Sequence, residues 1–304
     1  MAHLGTVGTK THNSGASAVG ITLTDDVPVD ATLLIACVWE SAAGSVPTIA
    51  SVADDAAGSD NVYTTTPDVS ANAGTTVAVA VIRCRVTTAL TAGDIITVTI
   101  SGGTRSRWAM QADAWDDIDA SPLDEVATST PGSSASMVSG TTATTGQARE
   151  LLYAVFGFGS GRTTTPEAGW TAGAKVETSA GSGDRALQVE HKYVNATGTY
   201  EASCALSSAS TYAGAIATYT STSLEPPEAR ISQVKLLAPN PGDALLAKIS
   251  QVKFTIPQAV LGEVRVSQVK LKAPAKSGQP PYSGIKIARD GNVWDATIQT
   301  PEGT

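Results

Sequence analysis

The sequence predicts an all-β protein. It reads as a two-sheet antiparallel, jelly-roll-like sandwich over residues 1–222, a Pro-rich linker at 223–229, a three-strand repeat stalk at 230–275 and a C-terminal hairpin within 276–304. Three observations predict it. Short β-branched or alternating segments follow one another, separated by clusters of Gly, Asp, Asn and Ser. No segment carries a helical period with caps. Near one end a ten-residue phrase is written three times, as "RISQVKLLAP" (230–239), "KISQVKFTIP" (248–257) and "RVSQVKLKAP" (265–274).

In chain order, the strand candidates of the sandwich begin with "GITLT", "TLLIACVWE", "TTVAVAVIRCRVT" and "DIITVTISG". They continue with "RWAMQADAW", "ELLYAVFGFG", "RALQVEHKYV", "YEASCALS" and "YAGAIATYT". In "TVAVAVIRCRV" the set Val77, Val79, Val81, Arg83 alternates with Ala78, Ala80, Ile82, Cys84, so one side faces a core throughout. The region is also written twice: "TLLIACVWE" is answered by "ELLYAVFGFG", and the segments that follow each correspond in kind. Two similar half-sheets packed face to face are the simplest account. The fifteen residues "MAHLGTVGTKTHNSG" contain no apolar core and are expected to be flexible, and no apolar run approaches a membrane span. These features, and the absence of a secretory signal in the sequence, point to a protein folded in a cytoplasm.

"STSLEPPEAR" then breaks the pattern, because consecutive prolines cannot donate to a ladder and favour a stiff extended spacer. The three repeats start 18 and then 17 positions apart, which leaves room for loops but not for helical crossovers. Alternation puts Val234, Leu236, Val252, Phe254, Val269 and Leu271 on one apolar face, opposite a half-wet face carrying Gln233, Lys235, Gln251, Lys253, Gln268 and Lys270. Left uncovered, those six side chains would each forgo about 1.5–3 kcal/mol of burial. Closing three copies of the chain around a threefold axis, as a β-prism, buries them; packing the repeats on the sandwich is the competing reading. The six residues are therefore the candidate oligomerisation surface of a homotrimer. Beyond a second Pro/Gly break, "GIKIARDGNVWDATI" places two alternating runs around Asp290-Gly291, a two-residue hairpin signal.

Chemistry is sparse. The net charge is −8, which offers no electrostatic footprint for nucleic acid or an anionic membrane. Cys37, Cys84 and Cys204 are odd in number and lie in apolar runs, as buried thiols do. There are three histidines, His3, His12 and His191; the first two fall in the expected flexible start and His191 in a strand. No zinc, nucleophile-elbow, phosphate-loop or dithiol motif is present, and the glycine-rich "GFGSG" at 157–161 reads as a turn. Asp25-Asp26, Asp54-Asp55 and Asp116-Asp117, with Asp60 and Asp119 nearby, could in principle hold calcium or run glycoside hydrolysis, but Asp at strand ends more commonly caps turns. No catalytic, cofactor or metal residue is assigned. Of the aromatics Trp39, Trp108, Trp115, Trp170, Tyr153 and Tyr212, Trp170 in "EAGWTAG" is the one expected to be exposed or half-exposed, and is the candidate glycan contact.

Taken together, "PVDATLLIACVWE", "TIASVADDAAGSDNVYTT", "TAGDIITVTISG", "SPLDEVATS" and "EAGWTAG" resemble a sandwich domain recurrent in phage structural proteins and bacterial surface proteins, over most of 15–222. The "SQV" strands and "IKIARDGNVWDAT" resemble the C-terminal part of minor tail and other virion proteins of phages infecting actinobacteria. The resemblance implies a non-enzymatic virion component, assembled in the host cytoplasm, that acts by adhesion or scaffolding at the tail tip or on the host surface. Its partners would be other virion proteins and a host cell-surface glycan, with no cofactor, nucleic acid or membrane insertion. A capsid decoration or head-fibre protein, and a bacterial carbohydrate-binding accessory module, are the rival readings.

Overall fold

The structure is a computed structural model. It describes residues 1–40, 48–58, 60–74, 76–179 and 183–221, and four C-terminal strands at 231–237, 248–254, 284–290 and 293–299. No helix occurs among the described residues. The chain divides into two compact units, Met1–Leu224 and Glu225–Thr304.

The first unit is an all-β sandwich protein written twice over. Its first half contains β1 (His3–His12), β2 (Ala18–Thr22), β3 (Thr32–Glu40), β4 (Ile49–Asp54), β5 (Val62–Tyr63), β6 (Val69–Ala73), β7 (Val77–Arg85), β8 (Ile95–Ile100) and β9 (Trp108–Trp115). Its second half contains β10 (Ile118–Ser129), β11 (Ser133–Val138), β12 (Arg149–Gly159), β13 (Thr164–Pro166), β14 (Thr171–Ala172), β15 (Val176–Glu177), β16 (Arg185–Asn195) and β17 (Ser203–Ser221). In the first half a large sheet runs β1-β9-β3-β7, with β5 and β6 on the far edge of β7, and a small sheet runs β2-β8-β4. In the second half the large sheet runs β10-β17-β12-β16, with β14 and β15 on β16. There β11 and β13 flank the first part of β17, which makes the small sheet. All of these pairings are antiparallel.

Strand for strand the wiring is the same: the first strand lies beside the last, the second beside the next to last, and the chain crosses between the two sheets, apart from the short strands β5, β6, β14 and β15, which edge the large sheets. That is the double Greek key of a jelly roll, made once per half. The halves differ at one corner. In the first, residues 101–107 separate β8 from β9. In the second, the 19-residue β17 runs straight through, pairing with β11 up to Thr211 and with β12 from Tyr212. Gly214 lets the end of β11 approach the large sheet, because a Cβ there would stand 2.3 Å from the Val138 carbonyl oxygen.

The expectation of one sandwich built from two half-sheets is corrected in this respect. Each half is a complete sandwich, and the two pack back to back through their large sheets. Four sheets enclose three cores. Leu33, Ile35, Trp39, Ile82, Trp108 and Met110 fill the first sandwich. Leu152, Phe156, Phe158, Tyr212 and Ile216 fill the second. Between them, Leu34, Val38, Val79, Trp115, Tyr153, Val155, Leu187 and Tyr219 form a shared seam. Both faces of each central strand are therefore buried, which explains why "LLIACVW" reads as a continuous apolar run. In β7 the Val77-Val79-Val81 side faces the seam and the Ala78-Ala80-Ile82 side faces the first core, so the one-sided expectation held only half of the strand's role.

In the second unit, β18 (Ile231–Leu237) and β19 (Lys248–Phe254) pair antiparallel with Val234 opposite Val252. Two further strands, β20 (Gly284–Asp290) and β21 (Val293–Gln299), form a hairpin with Asp290 opposite Val293.

Candidate functional site

The seam is apolar along most of its length and polar at its two ends, and those ends are where chemistry-bearing side chains gather. At one end β9 turns Gln111, Asp113 and Trp115 toward the second sandwich, because its alternate residues fill the first core. The Asp113 carboxylate is 1% exposed. It accepts hydrogen bonds from Thr6 Oγ1 (2.6 Å), Gln111 Nε2 (2.9 and 3.0 Å) and, across the seam, Tyr153 Oη (2.6 Å). Three donors make burial of this carboxylate tolerable. His3 Nε2 lies 3.5 Å from Asp113, and the His3 ring stacks on Trp115 at 4.2 Å between centroids.

His191, on β16, completes this cluster from the second sandwich. Its ring centre is 4.8 Å from Trp115 and 5.0 Å from His3. Burial, reinforced by His3, pushes its imidazole down to about 4, against a smaller upward pull from Asp113. His191 is thus neutral at physiological pH and packed among rings. The placement of His3 corrects the expectation of a flexible start: residues 3–12 form β1, an edge strand of the large sheet pinned along β9. Alternation in "HLGTVGTKTH" was the available signal, but it is weak next to its two glycines.

At the other end of the seam charged groups tie the sandwiches together. Arg107 Nη1 is 2.7 Å from Glu40 and its Nε is 3.3 Å from Asp184; Arg185 Nη2 is 3.7 Å from Glu40. Arg107 holds a φ of 59°, a left-handed conformation, and its two ion pairs offset that strain.

Trp39, Trp108, Trp115, Tyr153 and Tyr212 are all core residues, at most 1% exposed. Trp170 is half-buried, packed on the second core, and carries Lys192 Nζ 5.8 Å above its ring. Asp25-Asp26 and Asp54-Asp55 act as loop and turn caps, whereas Asp116 accepts from Ala2 N and Asp117 lies 3.4 Å from the Met1 ammonium. Asp54 accepts from Ala56 N, Asn61 Nδ2 and Tyr63 Oη, Asp55 from Ile95 N, and Asp26 from Ala92 N. The hydroxyls of Thr88 and Thr87 hold the Asp60 carboxyl below its ordinary range. Among the described residues no group of three or more His, Cys, Asp or Glu side chains is arranged to hold a metal ion. The three cysteines are free and buried.

Of the six oligomerisation candidates, Val234 and Leu236 fall on β18 and Val252 and Phe254 on β19, which the structure pairs. Val269 and Leu271 lie outside the described residues. Two buried carboxyls escaped sequence reasoning altogether. Glu150 and Glu190 are fully buried inside the second sandwich. Each is pushed up to about 7, foremost by burial, with Asp124 adding to the rise at Glu150 and Glu167 at Glu190. Compared with protein-family models, with curated proteins and with solved structures, the chain matches none.

Proposed function

We propose that the chain is a non-enzymatic structural protein of a phage virion, a minor tail, tail-tip or host-surface adhesion component. The paired sandwiches serve as its head and the C-terminal strands as a trimerising stalk. The observation that carries this reading is the repeated "SQVK" strand. Two of its copies, β18 and β19, pair as an antiparallel ribbon with two register shifts, Val234 opposite Val252, Leu236 opposite Ile249 and Phe254 opposite Ile231. A two-stranded ribbon is marginal in water, and alternation in the sequence gives each repeat apolar Val/Leu/Phe positions whose burial is worth about 1.5–3 kcal/mol each. Repeat units that cannot bury their own face recruit a neighbour, and copies of the same chain supply it at every level of the stalk. Each sandwich is stabilised by apolar layers, as suits a durable particle component. The resemblance of 15–222 and of the "SQV" strands to phage structural proteins points the same way.

Electron microscopy of phage particles labelled with an antibody against residues 1–222 tests this reading. Label at the tail tip or along a tail appendage is the expected result. Label on the capsid would make it a head decoration, and label absent from particles but present in a secreted fraction would overturn it in favour of a bacterial accessory module.

A further inference from the structure

At the Glu40 end of the seam, a cleft of about 600 Å3 opens beside the ion pairs. Its walls are the β12–β13 turn (159–162), residues 208–211 of β17, Ser133 at the start of β11, Gly183 and Arg185, and Thr76 from the first sandwich. No carboxylate and no aromatic ring occurs among these described lining residues. A cleft lined by two guanidiniums and by hydroxyls runs against the −8 charge of the chain.

Arg162 is held in an unusual way. Its Nε donates to the carbonyls of Ser208 and Ala209 (both 3.2 Å), its Nη1 to those of Gly159 (2.9 Å) and Ser160 (3.1 Å), and its Nη2 to that of Ala209 (2.9 Å). Carbonyl dipoles orient a guanidinium without neutralising it. Among the described residues no carboxylate lies within ion-pair distance of Arg162. Of its five N–H groups, one on Nη2 extends beyond these contacts. The neighbouring charges balance one another: Arg107 and Arg185 against Glu40 and Asp184, and Lys175 against Glu177 at 2.9 Å. The positive charge of Arg162 is the surplus. Because its side chain is already fixed, engaging an anion costs little further rotamer entropy.

We propose that this cleft binds an oxyanion carried on a hydroxyl-rich chain, a saccharide or polyol bearing a carboxylate or a phosphate. Arg162 faces the anion, and the exposed Ser133 and Ser208 meet the ligand's hydroxyls. This assignment rests on the adhesion reading and deepens it by naming a ligand class. It moves the ligand away from Trp170, whose ring is already packed on the core and under Lys192.

Calorimetric titration of the full chain tests it with three probes: a uronate-containing oligosaccharide, a glycerol-phosphate oligomer and a neutral dextran of matched size. At least one anionic probe is expected to bind, more weakly as salt is raised, while dextran does not; which anionic probe binds identifies the anion as carboxylate or phosphate. Ser133→Asp and Ser208→Asp place a like charge at the mouth and should weaken binding about tenfold or more with melting temperature unchanged. Arg162→Gln should abolish binding, and the two Asp variants keep the test valid if it also loosens the turn. Anionic binding that ignores both Asp variants, or equal binding of dextran, overturns the cleft assignment and leaves adhesion standing. Failure of both anionic probes on the wild type also overturns the cleft, while the particle labelling decides adhesion separately.

Discussion

Gly157 sits inside β12 rather than in the turn that "GFGSG" predicts, and the reason lies in the opposite sandwich. A Cβ there would stand 2.5 Å from Val79 Cγ1 and 2.6 Å from Val38 Cγ2, so the bare backbone is what lets the two large sheets approach. Gly157→Ala should therefore cost about 1–3 kcal/mol in urea-monitored stability, as overpacking does; an unchanged midpoint would mean the seam is loose. The buried titratable groups set a pH dependence whose sign can be worked out. His191, pushed down to about 4, favours the fold fully above its unfolded value of about 6.5, and that contribution is lost as pH falls from there to 4. Glu150 and Glu190, pushed up to about 7, act in reverse: their contribution is full below the unfolded value of about 4.5 and is lost as pH rises to 7. Between about pH 4.5 and 6.5 one imidazole opposes two carboxyls, at no more than about 1.4 kcal/mol per pH unit each. Stability of the wild type should then decline with rising pH across that window. Glu190→Gln should flatten the profile and His191→Phe should steepen it, read from denaturation midpoints at successive pH values. A profile unaltered by Glu190→Gln would show that this carboxyl is not buried.

Strands behave as elements with two interior faces. In β7, Val79 belongs to the seam and Ile82 to the first core, and both are fully buried. Val79→Thr and Ile82→Thr should each lose about 1–3 kcal/mol, since each buries a hydroxyl in an apolar layer. An amphipathic strand would tolerate one of the two. Chemical denaturation of both variants is the check, and a neutral outcome at Val79 would place that face in water. The edge strand β1 owes its order to its partners: Thr6 and His3 meet Asp113, and His3 covers Trp115. Acid weakens this corner without parting the sandwiches. Protonating His191 costs at most about 3.4 kcal/mol, whereas each Val or Leu in the seam contributes about 1.5–3 kcal/mol.

At the scale of the assembled molecule, the trimer proposal turns on Phe254. Three copies of Phe254→Asp would crowd carboxylates into a dry stalk interior, where desolvation and mutual repulsion cost several kcal/mol, about 3 or more per assembly. Lys253 occupies the alternate position in the sequence, so Lys253→Asp should leave assembly intact. Light-scattering mass across a dilution series should show a trimer for the wild type and Lys253→Asp and a monomer for Phe254→Asp. A wild type monomeric at all concentrations, with Phe254→Asp unfolding instead of dissociating, would mean the repeats pack on their own sandwich.

The all-β class, most of the long strands, the fact that the region is written twice and the burial of all three cysteines were legible in the sequence. Each depends on local alternation, turn residues or composition, which a chain carries wherever it folds. The closing hairpin was legible too, from Asp290-Gly291 between two alternating runs. Which strands pair, and what covers each face, was decided only in three dimensions. "LLIACVW" looks the same whether it is buried on one side by a half-sheet or on both sides by two sandwiches; Gly157, fitted against Val38 and Val79 of the other half, decided between them. The seam cluster and the Arg162 cleft were invisible for the same reason. His3 and His191, Asp113 and Tyr153, or Arg162 and Ser133 lie far apart along the chain. The first two pairs meet because two jelly rolls join through their large sheets, the third because β11 and the β12–β13 turn fold together within the second jelly roll, and proximity between distant residues is a property of that packing and not of any local stretch.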